Sequence, residues 1–237
     1  MKPSNPSDLE GPVAFDPALM ATFALIHGGG STAWDWHLVL PLLLRAGHAA
    51  IAVDLPIDDD RADLSDYASA VAAAVGNADD VIVVGHSLGG FTAPLVCDKV
   101  NTVGLVYLAG MIPAPGEAFT DWWTNTGYDS DGVDENAFFT GVPDDLAREA
   151  RSREREQHGE WMSRPWPATR HPSVPTRVLL CRDDAFFPAW FQRRQARERL
   201  GIEAVEIPGG HYAALGAPDA VASALVDFAA ELGPPPS

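Results

Sequence analysis

Short apolar runs alternate along the chain with stretches whose apolar residues recur at helical spacing. ATFALIH (Ala21 to His27) reads as a buried strand, followed by a glycine-rich loop and a helix near Trp34 to Ala46. AAIAVDL (Ala49 to Leu55) is the next strand, after which Leu64, Tyr67, Ala68, Val71 and Val75 mark one face of a helix. VIVVGH (Val81 to His86) is a continuous β-branched run of the kind buried on both faces of a sheet. VGLVYLAG (Val103 to Gly110), TRVLLC (Thr176 to Cys181) and IEAVEI (Ile202 to Ile207) complete a set of about six strands. A closing helix is expected from Pro218 to Leu232, with Val221, Leu225 and Phe228 inward. Such alternation predicts an α/β fold, a mostly parallel sheet with helices on both faces.

One stretch breaks the alternation. Residues 113–172 hold no strand pattern, but carry aromatics, acids and a polar helix, DDLAREARSREREQ. The stretch is too short and too polar to hold much core alone, so it reads as an insertion above the sheet. The expected organisation is therefore a core of residues 20–112 and 173–233, an insertion at 113–172, an N-terminal segment at 1–19 and a tail at 234–237.

Composition narrows the function class. The 237 residues are 46% hydrophobic, enough for one large core, and the formal charge of -17 disfavours nucleic acid as a partner. Two cysteines, Cys97 and Cys181, make neither a disulfide framework nor a metal site. No metal is expected, because the histidines lack paired ligand spacing, and no G-x-G-x-x-G suggests a dinucleotide. The first residues carry no apolar core of a secretory signal and no run is long enough to span a bilayer, so a cytoplasmic protein with a small-molecule substrate and no membrane partner is expected.

Four motifs carry chemistry. GHSLG (Gly85 to Gly89) matches G-x-S-x-G between a buried strand and a helix, the context in which a sharp turn raises a serine hydroxyl above the sheet edge. Ser87 is the candidate nucleophile. HGGG (His27 to Gly30) also follows a strand, and its bare backbone can approach a substrate oxygen; the oxyanion donors are assigned to the amides of Gly29 and Leu88. A hydroxyl needs a base and the base an orienting acid, in the chain order Ser, Asp, His. His211, in PGGHY, is the candidate base, and Asp184 of CRDDAFFP the candidate acid, with Asp183 as a solvated or Arg-paired neighbour.

These residues resemble the α/β-hydrolase superfamily over Ala21 to Leu232. His27–Gly28, Ala33–Trp34 with Trp36, Pro41 with Leu43, Gly47–His48, and Ala52 with Asp54–Leu55 resemble more narrowly the plant methylesterase and hydroxynitrile lyase group. The resemblance implies the α/β-hydrolase fold, an esterase-like triad, no cofactor, and an insertion acting as a lid. Gly28 and Tyr212 stand where the lyases of that group carry Thr and Lys, which disfavours cyanohydrin cleavage, and Ser87 stands where dehalogenases and epoxide hydrolases carry Asp.

The expected function is cleavage of an ester, lactone, thioester or amide bond of a small, largely apolar substrate. The same triad also serves a C–C bond hydrolase, an acyl transferase or a cyclase, and the same fold serves a non-catalytic sensor. Trp122, Trp123, Phe138 and Trp161 of the insertion are candidate substrate contacts, set against a simpler role in burying the insertion on the sheet. Arg148, Arg151, Arg153 and Arg155, mixed with Glu149, Glu154 and Glu156, read as a salt-bridged solvent face.

Overall fold

Each apolar run forms a strand and most connections form a helix, in a computed structural model that describes residues 20–129 and 133–233. The expectations for residues 1–19 and 234–237 lie outside the described residues. In chain order, β1 (Thr22–Ile26) leads through a 3-10 turn (Ala33–Trp36) into α1 (Leu40–Arg45). β2 (Ala49–Val53), α2 (Leu64–Val75), β3 (Val81–His86), α3 (Gly89–Val96) and β4 (Thr102–Leu108) follow. The long connection after β4 holds α4 (Phe119–Thr126), α5 (Asp144–Ser152) and two 3-10 turns, Glu135–Phe139 and Glu160–Ser163. β5 (Thr176–Cys181), α6 (Ala189–Gln195), β6 (Val205–Ile207), α7 (Ala213–Gly216) and α8 (Pro218–Leu232) complete the chain.

All six strands pair in parallel, in the order β2-β1-β3-β4-β5-β6. The direction of winding reverses between β1 and β3, so a crevice opens beyond their carboxyl ends, where open α/β sheets bind ligands. HGGG leaves β1 and GHSLG leaves β3 at that point. Alternate residues of β3 serve opposite cores: Val81 and Val83 pack with α2 and α3, Ile82 and Val84 with α1 and α8. Asp63 caps α2 by accepting from the Ser65 and Asp66 amides at 2.7 and 3.2 Å.

Local chemistry moved several boundaries. The helix expected over Trp34 to Ala46 is split, because Pro41 lacks an N–H and sits in the first turn of α1. The strand expected from Ile202 begins only at Val205; the Ile202 amide donates instead to the Ala196 carbonyl, closing the π-helical turn Ala196–Leu200 that follows α6. The polar helix ends at Ser152, and the chain then runs back toward the sheet.

The connection between β4 and β5 is tied down by buried and part-buried polar contacts. His171 donates from Nε2 to the Pro113 carbonyl (2.8 Å) and accepts at Nδ1 from the Tyr107 hydroxyl (3.3 Å). Glu117 forms a bidentate pair with Arg199 at 2.8 and 3.0 Å. The Trp122 and Trp166 indoles donate to the Ile112 and Phe91 carbonyls. No described helix is long and apolar enough to cross a membrane.

Candidate active site

The turn after β3 is tight enough to require its glycines. A Cβ on Gly85 would lie 2.7 Å from the Gly89 carbonyl oxygen, and one on Gly89 2.7 Å from that of His27. Between them Ser87 adopts φ of 50°, a left-handed conformation sparsely populated for a side chain other than glycine. Hydrogen bonds from Ser87 N to Leu108 O (3.2 Å) and from Met111 N to Ser87 O (2.9 Å) hold the turn.

His211 lies on the loop between β6 and α7 and is 1% exposed. Its Nε2 is 2.9 Å from Ser87 Oγ and its Nδ1 2.9 Å from Asp184 Oδ2. An ionised carboxylate only accepts, so Nδ1 carries the proton and Ser87 O–H donates to the free Nε2. The carboxylate is fully engaged: Oδ1 accepts from the Phe186 and Phe187 amides, each at 2.8 Å, and Oδ2 accepts from Gln192 Nε2 at 3.1 Å as well as from His211. Gln192 is itself oriented, since its Oε1 accepts from the Cys181 amide. Asp183 points elsewhere. It is exposed, pairs with Arg182 at 3.3 Å and accepts from the Gly209 amide at 3.1 Å, and that amide above all holds its carboxyl below the usual range. The two adjacent acids thus divide the loop, Asp184 on the imidazole and Asp183 on the loop's base.

The glycine-rich loop is braced from both sides. His27 donates from Nδ1 to the Gly28 carbonyl (2.7 Å) and accepts at Nε2 from the Leu55 amide (3.1 Å). Burial pushes its pKa down to about 4, so the neutral ring persists. With the Gly28 carbonyl turned to that ring, the N–H of Gly29 in the same trans peptide points the opposite way. Among the described residues, the Gly29 and Leu88 amides donate to no protein acceptor, whereas the Gly30 amide donates to Gln157 Oε1 at 3.3 Å. His86 donates from Nε2 to the His211 carbonyl at 2.9 Å, and burial foremost, then the nearby His211, pushes its pKa down to about 3.

The aromatic candidates separate. Phe138 packs T-shaped on the His211 ring, centroids 5.3 Å apart, and stacks on Phe186 at 3.9 Å. Trp161 lines a small gap of about 10 Å³ beside Gly28 and Leu88. Trp122 and Trp123 stand one layer back, against Phe187. Phe186 and Phe187 themselves face His211 at 5.1 and 5.2 Å; the FF after the acid pair in CRDDAFFP was the one sequence signal for them. Arg155 corrects the reading of an all-solvent arginine face. Its guanidinium donates to the Leu55 carbonyl at 2.8 Å and its backbone N–H to the Gly30 carbonyl at 2.8 Å, while Arg153 keeps to its exposed pair with Glu149. Nothing in the sequence singled out Arg155, Gln157 or Gln192, because their roles depend on where a strandless segment folds back. No group of three or more His, Cys, Asp or Glu side chains able to hold a metal occurs among the described residues.

A family model described as the alpha/beta hydrolase family matches residues 23–224. The chain belongs to that family. Polyneuridine aldehyde esterase of Rauvolfia serpentina is 27% identical over 252 residues, 87% of this chain and 94% of that one. Norfluorocurarine synthase 2 of a Strychnos species is 35% identical over 141 residues, about half (52%) of each chain. Among solved structures, a pyrethroid hydrolase from Sphingobium faniae superimposes with a TM-score of 0.70 at 24% identity, covering 89% of this chain and 98% of that one, a likeness of fold.

Proposed function

We propose that this alpha/beta hydrolase is a serine esterase, cleaving an ester or related acyl bond of a small, largely apolar substrate through an acyl-enzyme. The observation that carries the reading is the unbroken line from Ser87 Oγ through His211 to Asp184, set at the reversal point of the sheet. Ser87 Oγ attacks the acyl carbon while its proton passes to His211 Nε2; Asp184 holds the imidazole in the tautomer that accepts it. The negative oxygen is received by the Gly29 and Leu88 amides, each worth about 3 kcal/mol of barrier. The leaving alcohol departs with the proton from His211. Water, deprotonated by the same imidazole, then releases the acid and restores Ser87.

The substrate reading rests on the walls. A cleft of about 570 Å³ opens beside Gly29 and Gly30, its lining shared between the aromatics Phe138, Phe139 and Tyr212 and charged side chains such as Glu135, Arg151 and Arg155, a size suited to an aromatic or alicyclic group bearing polar substituents. Residues 113–172 serve as the cover over Ser87, and the esterase named among the relatives supports the reaction class.

The test is hydrolysis of short and medium p-nitrophenyl esters, with fluorophosphonate labelling, by wild type and Ser87→Ala. Turnover and labelling lost together in the variant support the esterase. A folded wild type that neither turns over the panel nor takes the label rules it out.

A further inference from the structure

Gly29 lies between two further glycines, so side-chain bulk does nothing to fix the peptide planes that present its amide. Two polar side chains hold those planes instead. The peptide before Gly29, which carries its N–H, is held through the Gly28 carbonyl by His27 Nδ1 at 2.7 Å. The peptide after it is held through the Gly30 N–H, which donates to Gln157 Oε1 at 3.3 Å. Gly29 is thereby pinned by the plane on either side, and the aim of its N–H with it. Gln157 is oriented in turn. The Gly30 N–H can only donate, so the carbonyl end of the side-chain amide faces it and the amino end faces away. There Nε2 donates to the Tyr67 hydroxyl at 3.0 Å, which also accepts from Trp161 Nε1 at 3.2 Å. Tyr67 belongs to α2, and both it and Trp161 are buried. Gln157, Tyr67 and Trp161 together line the small gap beside Gly28 and Leu88, next to both amides assigned to the oxyanion.

We propose that Gln157 is a positioning residue for the transition state: it locks the peptide between Gly29 and Gly30 so that the Gly29 amide stays aimed at the oxyanion, and Tyr67 keeps Gln157 in the orientation that does so. The proposal rests on the esterase reading above. It assigns Gln157 an action through the backbone and not on the reacting atoms. A bond that only fastened residues 113–172 in place would change stability and substrate binding, whereas a bond that aims an oxyanion donor changes the rate of the chemical step.

The experiment compares wild type, Gln157→Met, Tyr67→Phe and the double variant for kcat and KM on a p-nitrophenyl ester. Each is also inhibited with a trifluoromethyl ketone, whose adduct with Ser87 carries the same negative oxygen, and with the unfluorinated ketone, which binds without forming it. Methionine keeps the length of Gln157 but not its acceptor. Gln157→Met is expected to lose roughly tenfold in kcat with KM little changed, and to weaken the trifluoromethyl ketone by the same factor while the plain ketone binds as before. Tyr67→Phe is expected to lose less, roughly threefold, because the Trp161 indole keeps the His158 carbonyl as an acceptor and only Gln157 is loosened. The double variant is expected to match Gln157→Met, since Tyr67 acts through Gln157. Unchanged kcat in Gln157→Met, equal weakening of both ketones, or losses that multiply in the double variant overturn the proposal. If Gln157→Met does not fold, Gln157→Asn, whose amide is one methylene short of Gly30, takes its place. Hydrogen exchange at the Gly30 amide, in protein isotopically labelled in its glycines, reports the bond without catalysis; it is expected to quicken in Gln157→Met, and an unchanged rate overturns the tether. Wild type that neither turns over the ester nor takes a fluorophosphonate label sinks the esterase reading instead, while exchange at Gly30 still decides whether Gln157 holds the loop.

Discussion

Acidification should unfold this protein through two imidazoles, opposed by one carboxyl. His27 and His86 are held neutral by burial, with pKa values pushed from 6.5 to about 4 and about 3. The unfolded chain takes up both protons as pH falls below 6.5 and the folded chain does not, so their stabilisation is present above that value and lost on descent. Asp35 runs the other way. Its folded pKa, about 7 against 3.8, means that the folded chain keeps a proton that the unfolded chain releases, so stability is lost as pH rises from 3.8 to 7. Between about pH 6 and about pH 4.5 the two histidines favour unfolding by nearly two protons and Asp35 opposes with one. The net of about one proton costs about 1.4 kcal/mol for each pH unit of descent. Urea unfolding followed by tryptophan fluorescence at steps across that window measures the slope. Asp35→Asn should steepen it by about 1.4 kcal/mol per unit, and His27→Gln or His86→Gln should flatten it by the same amount, whatever each does to stability at neutral pH. Other titrating groups are common to all four proteins and cancel in the differences. Equal slopes in wild type and Asp35→Asn would refute the assignment of a buried, protonated carboxyl.

Asp184→Asn should reduce kcat by about a thousandfold or more while leaving the fold, because an amide in its place favours the wrong tautomer of His211. Asp183→Asn should cost far less, and comparing their ester turnover separates the two acids. Gln192→Ala strips partners from the Cys181 amide and from Asp184 Oδ2, and should lower the urea-derived stability by about 1–3 kcal/mol with a further loss in kcat. Gly89→Ala drives a methyl toward the His27 carbonyl, and should destabilise by about 1–3 kcal/mol and slow fluorophosphonate labelling. Unchanged labelling there would mean that the glycine-rich loop yields without consequence for Ser87.

The sheet was legible wherever a run was apolar on both faces, as in Val81 to His86, because only a central parallel strand buries every side chain. Edges were less so: the apolar pattern continued back to Ile202, but the backbone there was already committed to ending a helix. The line of Ser87, His211 and Asp184 could be proposed from order and context, since each follows a strand at the sheet's carboxyl edge. Their supports could not. Gln192, Arg155 and Gln157 carry no motif, and act through contacts between segments far apart in the chain. Asp35 carries no motif either, and only folding buries it on the turn Ala33–Trp36.

Gln157 and Arg155 reach from the segment over the site to the same glycine, one holding the Gly30 amide and the other its carbonyl. That segment is therefore more than a roof. On the proposed reading, a movement that raised those two residues would remove both contacts to Gly30 beside Gly29, so admitting a ligand by that route and loosening the anion-receiving loop would be one event. On the proposed esterase reading, such a protein would be idle while open and competent only once its guest was enclosed.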